Sequence, residues 1–472
     1  MNLSKREQRL QKTSYEGYLE DIRLEAETVP RAHSSELASS SEKARTEICT
    51  KNLLERIVNA ENMNKALKRV ERNKGSHGID GMQTDTLRSY LMENGKALVL
   101  EILEGRYIPK PVRKVEIPKP EGGKRGLGIP IVVDRVIQQA ISQVLTEVFE
   151  PEFSEHSYGF RPNKSAHQAL KQAEVYVNLG YKVVVDMDLE KFFDRVNHDK
   201  LMHLISRKVC DKRVLKLIRK YLTAGVMDQG ICVKSKEGTP QGGPLSPLLS
   251  NIMLNELDKM LEERGHKFCR YADDCNIYVK SKRAGLRVME TVRRFLENEL
   301  RLKVNEEKSA VASPTKRKFL GYSLYYKNGK YRLRVHPKSF NRLKDKIREV
   351  TNRNLSMNFE ARLKKVIEKT RGWVNYFKLA DMSHSLSEID AWIRRRLRAC
   401  IWKTWKKIRT RFSSLIKLGI VRNKAWEFAN TRKGYWRISK SPIMQRAITN
   451  ARLEKRGYVS MSTMYKKVKL AL

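Results

Sequence analysis

Phe268-Cys269-Arg270-Tyr271-Ala272-Asp273-Asp274-Cys275-Asn276-Ile277-Tyr278-Val279 is the stretch on which the reading of this chain turns. Its flanks are β-formers and its centre is a tight acidic turn, which predicts a hairpin of two buried strands. Two adjacent carboxylates in such a hairpin repel each other and lose hydration, so they need a counter-charge. Read alone, Asp273-Asp274 is equally an exposed Asp-Asp turn of the kind hairpins often use.

A second acidic stretch shifts that balance. Residues 181–194 read YKVVVDMDLEKFFD, an apolar run that ends at Asp186 and Asp188. Residues two apart on a strand share a face. A strand-borne carboxylate beside a hairpin bearing two more is an arrangement that holds two divalent cations roughly 3.5–4 Å apart. Hard oxygen ligands suit Mg²⁺, which completes its shell with phosphate oxygens. One ion would lower the pKa of a primer 3′-hydroxyl and the other would stabilise charge on departing pyrophosphate, which is in-line phosphoryl transfer.

The bulk charge points the same way. The 472 residues carry 96 Lys+Arg against 53 Asp+Glu, a formal charge of +43. A surface that repels itself so strongly suits a polyanionic partner, and nucleic acid fits better than a membrane, since no long apolar run or amphipathic anchor stands out. The N-terminus MNLSKREQRLQK has no apolar segment of the secretory type. The six cysteines show no CxxC pairing, and His198 and His203 fall on different helix faces, so the expectation is reduced thiols, no zinc site and a cytoplasmic protein.

Outward from the acidic centre, residues 1–50 read as an extension that is mobile or weakly helical, and from Leu53 apolar residues recur at helical spacing. VRKVEIPKPEGGKRGLGIP (112–130) reads as a basic hairpin or flap about Gly122-Gly123. DRVIQQAISQVLTEVFEP predicts an amphipathic helix stopped at Pro151, and Asn328-Gly329 predicts another hairpin. From about Pro337 the pattern is helical and basic, and all six tryptophans lie there, most of them expected in the core of a separate α-helical domain.

These stretches also carry a resemblance. Tyr271-Ala272-Asp273-Asp274 looks like the YxDD box of reverse transcriptases, and DMDLEKFFD like their first palm motif. In chain order, 112–130 resembles the fingers motif, YGFRPNKSAHQAL (158–170) the next, GTPQGGPLSPLLSNIMLNELD (238–258) the palm-helix motif and FLGYSL (319–324) the motif before the thumb. RVERNKGSHGIDGM (69–82) resembles the N-terminal extension of non-LTR and group II intron enzymes, and RGWVNYF (371–377) with its basic helical tail resembles maturase domain X. The likeness covers roughly residues 52–472, and the lack of a Cys-rich tail makes the chain similar to endonuclease-lacking, group IIC-like members.

The resemblance implies an α+β, right-hand polymerase: fingers and a palm built on antiparallel sheet, then an all-α thumb or domain X. The expected divisions are residues 1–50, 51–110 (N-terminal reverse transcriptase extension), 111–325 (fingers and palm) and 326–472 (thumb and domain X). Asp188, Asp273 and Asp274 match the metal-binding triad. Asp186 competes for the first position, but Asp188 sets Phe193 five residues later, where the family places an aromatic gate against a 2′-hydroxyl. Lys119 and Arg125 match residues that hold the incoming triphosphate, Ile129 would cap the templating pair, and Gln241 would contact dNTP and template. Lys308 would act as general acid to pyrophosphate or offset charge. Arg113 and Arg161 are candidate template-backbone contacts.

The stretch 392–411, WIRRRLRACIWKTWKKIRTR, has nine basic residues and no acidic one. Arg394, Arg395, Arg396, Arg398, Lys403, Lys406 and Lys407 are its leading candidates for an RNA backbone. The implied function is RNA-directed DNA synthesis with two Mg²⁺ and dNTPs, alongside binding of structured intron RNA to assist splicing and retromobility. An RNA-template/DNA-primer duplex and target DNA would be further partners of a bacterial-type, nucleoid- or RNP-associated protein. Two alternatives stay open: a domesticated reverse transcriptase in DNA repair or phage defence, and a non-catalytic RNA-binding splicing cofactor.

Overall fold

The computed structural model describes residues 51–118, 122–228, 230–233 and 235–470. Lys119 and the extension 1–50 lie outside the described residues. The chain forms two compact units, one running to Ala312 (apart from the short segment 177–180) and the other from Ser313 onward. The division comes before the FLGYSL stretch, so the hairpin that follows belongs with the helical unit.

Two sheets organise the first unit. One has the order β2-β1-β4-β5, with β1 Val112–Pro118, β2 Lys124–Ile129, β4 Val226–Asp228 and β5 Ile231–Val233. Its β1–β2 hairpin turns through Gly122 and Gly123, both at positive φ, as the Gly-Gly pair predicts. β1 pairs with β4 in parallel, so this sheet is mixed. The other sheet is fully antiparallel, in the order β6-β7-β3-β8: β3 is Val183–Met187, β6 Lys267–Tyr271, β7 Asp274–Val279 and β8 Ala310–Ala312.

Helix Val132–Phe149 departs from the amphipathic expectation. Apolar and polar residues alike are buried along its first three turns, because the helices Leu53–Val58 and Ala60–Asn73 and the palm-side elements cover it from several sides. Its Asp134 accepts from Tyr107 Oη (2.7 Å), Tyr221 Oη (3.0 Å) and the Lys110 amide (3.1 Å). Burial outweighs these bonds and pushes the Asp134 carboxyl up to about 6.

In the second unit, β9 Tyr322–Lys327 and β10 Lys330–Val335 close through Asn328 and Gly329, both at positive φ, as the Asn-Gly pair predicts. Tyr322 is fully buried against Phe377, with ring centres 5.0 Å apart, and its hydroxyl donates to the Tyr376 carbonyl. Helices Pro337–Val350, Phe359–Tyr376, Ser383–Thr404 and Met461–Leu470 form the helical body. Buried Asp390 caps the last of these, accepting from the Met461 and Ser462 amides at 2.8 and 2.9 Å. The tryptophans depart from expectation: Trp402 alone of the six is fully buried, Trp373, Trp392 and Trp405 are half-buried, and Trp426 and Trp436 are exposed.

Candidate active site

The β3–β7 ladder decides where the acids go. Met187 pairs with Cys275 and Asp186 with Asn276, so one more step of the same register sets Asp188 opposite Asp274. Asp188 lies just past the strand. Its amide donates to Ser309 Oγ (3.0 Å) and its carbonyl accepts from the Asn305 amide (2.8 Å). The same 305–309 segment brings Lys308 Nζ to 3.7 Å from Asp188 Oδ2. Asp186 stays within the ladder, half-buried.

The turn bearing Asp273 is built with equal care. Tyr271 pairs with Asp274, leaving Ala272-Asp273 as a two-residue loop with Ala272 at φ 58°. A left-handed alanine is unfavourable by roughly 1 kcal/mol and needs external support. Arg270, fully buried, provides it: Nη1 donates to the Ala272 carbonyl (3.0 Å) and to Asn251 Oδ1 (3.1 Å), while Nε and Nη2 grip Asp258 at 2.7 and 2.5 Å. From the other side, Gly159 lies so close that a Cβ there would fall 2.3 Å from the Ala272 nitrogen. Asn251 also donates to the Gly159 carbonyl at 2.8 Å, tying helix Ser246–Glu263, the YGFRP segment and the acidic turn into one block.

Burial, and then the charge of Asp188, raise the Asp273 carboxyl above its ordinary value, while Arg125 and Arg270 act against the rise. Asp188, Asp273, Arg125 and Lys308 thus share one electrostatic environment, and Asp274 stands exposed beside them. The donors are all hard carboxylate oxygens, which suits Mg²⁺. Among the described residues no three acidic, His or Cys side chains close into a ready-made metal cage, so an ion there would need further oxygens from substrate phosphates.

Phe193 and Gln241 line one cleft of about 260 Å³ together with Gly126–Gly128 of β2. The Thr239 amide donates to the Phe193 carbonyl (2.6 Å) and the Gly128 amide to the Gln241 carbonyl (2.8 Å), which sets the positions of both side chains through the backbone. Ile129 follows at the end of β2, half-buried and paired with Arg113. His198 is a satisfied core histidine, its Nε2 2.7 Å from the Gly238 carbonyl.

Several sequence candidates are placed elsewhere. Arg161 is buried, ion-paired with Glu150 at 2.9 Å and donating to the Ser154 and Ser157 carbonyls, so no phosphate can reach it. It braces the YGFRP segment instead of touching template. Arg398 is likewise buried, donating to the Ile448 carbonyl (2.8 Å) and Asn450 Oδ1 (3.0 Å), because the helix face that carries it packs inward. Arg113 holds Ser76 and His77. Arg395 and Arg396 combine internal bonds to Trp436 and Thr351 with partial exposure, Arg394 and Lys403 are half-buried, and Lys406 and Lys407 are exposed. The Arg270–Asp258–Asn251 network was missed. Its sequence signal is an arginine in an otherwise apolar strand and an aspartate on the buried face of a helix, opposite charges that can be buried only together.

Comparison with known proteins bears on this geometry. The reverse transcriptase (RNA-dependent DNA polymerase) profile matches residues 117–324, and the group II intron maturase-specific domain matches residues 340–419. The chain is 34% identical over 320 residues to protein YkfC of Escherichia coli, covering 59% of this chain and 84% of YkfC. It is 31% identical over 318 residues to the group II intron-encoded protein LtrA of Lactococcus lactis, covering 53% of each. It is 28% identical over 329 residues to a putative COX1/OXI3 intron 1 protein of Saccharomyces cerevisiae, covering 58% of this chain and 39% of that one. The chain therefore spans most of YkfC but about half of LtrA.

The palm and its acidic turn define a nucleic-acid polymerase of the reverse transcriptase class. The chain belongs to the group II intron reverse transcriptase/maturase family. Enzymes of this family are RNA-directed DNA polymerases that use Mg²⁺ and dNTPs, and the maturase-specific domain implies binding of intron RNA. No helix among the described residues is long and apolar enough to cross a membrane.

Proposed function

We propose that this chain copies RNA into DNA with Asp188, Asp273 and Asp274 as the ligands of two Mg²⁺ ions, and that its helical unit grips intron RNA to assist splicing and retromobility. The observation that carries the polymerase reading is the register that sets Asp188 at the end of its strand opposite Asp274, next to the turn that bears half-buried Asp273, so that three carboxylates crowd together. Bound metal would relieve their repulsion and would supply the lowered pKa of a primer 3′-hydroxyl and the neutralisation of pyrophosphate. Asp188 is the better first ligand than Asp186, since the register sets Asp188 opposite Asp274 with Lys308 beside it, whereas Asp186 lies further back in the ladder opposite Asn276.

The chain's own residues do the rest. Arg125, with Lys119 of the same sequence motif, binds the triphosphate with charge-assisted hydrogen bonds. Phe193 closes the space a 2′-hydroxyl would need, Gln241 orients the nucleotide beside it, and Ile129 covers the templating pair. Lys308, held beside Asp188, carries the proton for the leaving pyrophosphate or balances its charge. The template/primer duplex, structured intron RNA and target DNA are the partners of a cytoplasmic protein that works within ribonucleoprotein. The test is primer extension on an RNA template with Mg²⁺. Asp273→Asn is expected to lose synthesis and keep RNA binding, and extension at the wild-type rate in that variant would remove the assignment.

A further inference from the structure

The helical unit holds many of its cations with aromatic rings in place of carboxylates. The Arg395 guanidinium carbon lies 3.7 Å from the Trp436 ring centre, and Arg396 lies 5.3 Å from that of Trp392. Arg353 and Lys403 both approach Tyr435, at 5.3 and 5.0 Å. A ring fixes where a cation sits without cancelling its charge. Burial, together with the charges of Arg348 and Arg353, accordingly lowers the proton affinity of Arg396.

Two of these cations, Arg353 and Lys403, line a cleft of about 490 Å³, where the 351–358 loop meets the end of helix Ser383–Thr404. Arg353, Lys403 and Lys406 supply cations, Asn354 and Ser356 supply neutral donors, and no carboxylate is among the lining residues. The loop is pre-set. Buried Arg362 donates to the Val350, Asn352 and Leu355 carbonyls at 2.6, 2.8 and 3.1 Å, so it acts as a brace and leaves the other three cations to face a ligand. The cleft lies inside the maturase-specific match.

We propose that this cleft binds the phosphodiester backbone of a single-stranded segment of the RNA partner. The inference rests on the intron-RNA reading above. Its volume accommodates an extruded nucleotide, whereas an A-form helix, with its phosphates on a broad convex surface, meets only the rim. Neutral donors on a pre-set loop, beside cations with no carboxylate in the cleft to compete for them, are what a backbone phosphate needs.

The test uses the full chain, with single-stranded and fully paired RNA as probes, in a salt series read by fluorescence anisotropy. Each single-strand phosphate contact contributes about 0.7 to the slope of log affinity against log salt. Lys403→Ala/Lys406→Ala is therefore expected to lower that slope by about 1.4 and to weaken single-strand binding about 25-fold near 0.1 M salt, with a several-fold smaller loss on paired RNA. Lys403→Arg/Lys406→Arg restores the slope, and matched thermal melts confirm an intact fold. An unchanged slope, or equal losses on the two RNAs, overturns the proposal. The wild-type chain in the same titrations separates the two readings: no salt-dependent binding to either RNA would count against the RNA-binding reading itself, whereas wild-type binding with an unchanged slope in the variant counts against the cleft alone.

Discussion

Replacing Arg270 with methionine tests the claim that the acidic turn is held from beneath. The substitution leaves the Asp258 carboxylate buried with no cation, and removes the donor from the Asn251 side chain and the Ala272 carbonyl. Breaking one side of a buried ion pair costs about 3–5 kcal/mol. Thermal unfolding of a unit of this size shifts about 2–4 °C per kcal/mol, so the first-unit transition is expected to fall by about 6–20 °C. The informative partner is Arg270→Met/Asp258→Leu. An apolar pair of similar volume recovers most of that stability. It does not restore the hydrogen bond to Ala272, whose left-handed backbone then lacks its tether. The double variant is therefore expected to melt within a few degrees of wild type while primer extension stays at least about 100-fold down, the scale of loss from a reacting group displaced by about 1 Å. A double variant with wild-type extension would refute the reasoning, since the network would then serve stability alone.

Two further predictions concern the supports of the first unit. Gly159→Ala pushes a methyl group against the Ala272 nitrogen, so it should displace Asp273, destabilise the unit by about 1–3 kcal/mol and reduce kcat more than it raises KM, as read in steady-state extension. Asp134 is raised from its ordinary 3.8 to about 6 in the folded chain, so it binds its proton more tightly folded than unfolded. Its contribution is most favourable below pH 4 and is lost as pH rises to 6, by about 3 kcal/mol. Denaturant titrations should show Asp134→Asn lacking that slope; parallel pH curves for variant and wild type would contradict it.

Much of this protein was legible locally. Asn328-Gly329 and Gly122-Gly123 announce hairpins because few residues tolerate their backbone angles, and the strands around Asp188 and Asp273 are apolar enough to be recognised as buried. Helix Val132–Phe149 has the local pattern of an amphipathic helix, yet its polar Arg135 and Gln138 are buried by elements distant in sequence. Arg161 and Arg398 are buried in the same way. In a chain of +43 a basic residue looks like a phosphate contact until the carbonyls around it are seen.

What the sequence by itself determined was the chemistry available: which acids, which basic loops and which helical tail, because motif and periodicity are properties of neighbouring residues. Tertiary structure alone decided which charges face solvent and which are internal struts. That choice depends on strand register, on the Arg270–Asp258 pair and on a missing Cβ at residue 159, and each is set by residues far apart along the chain that meet only when it folds.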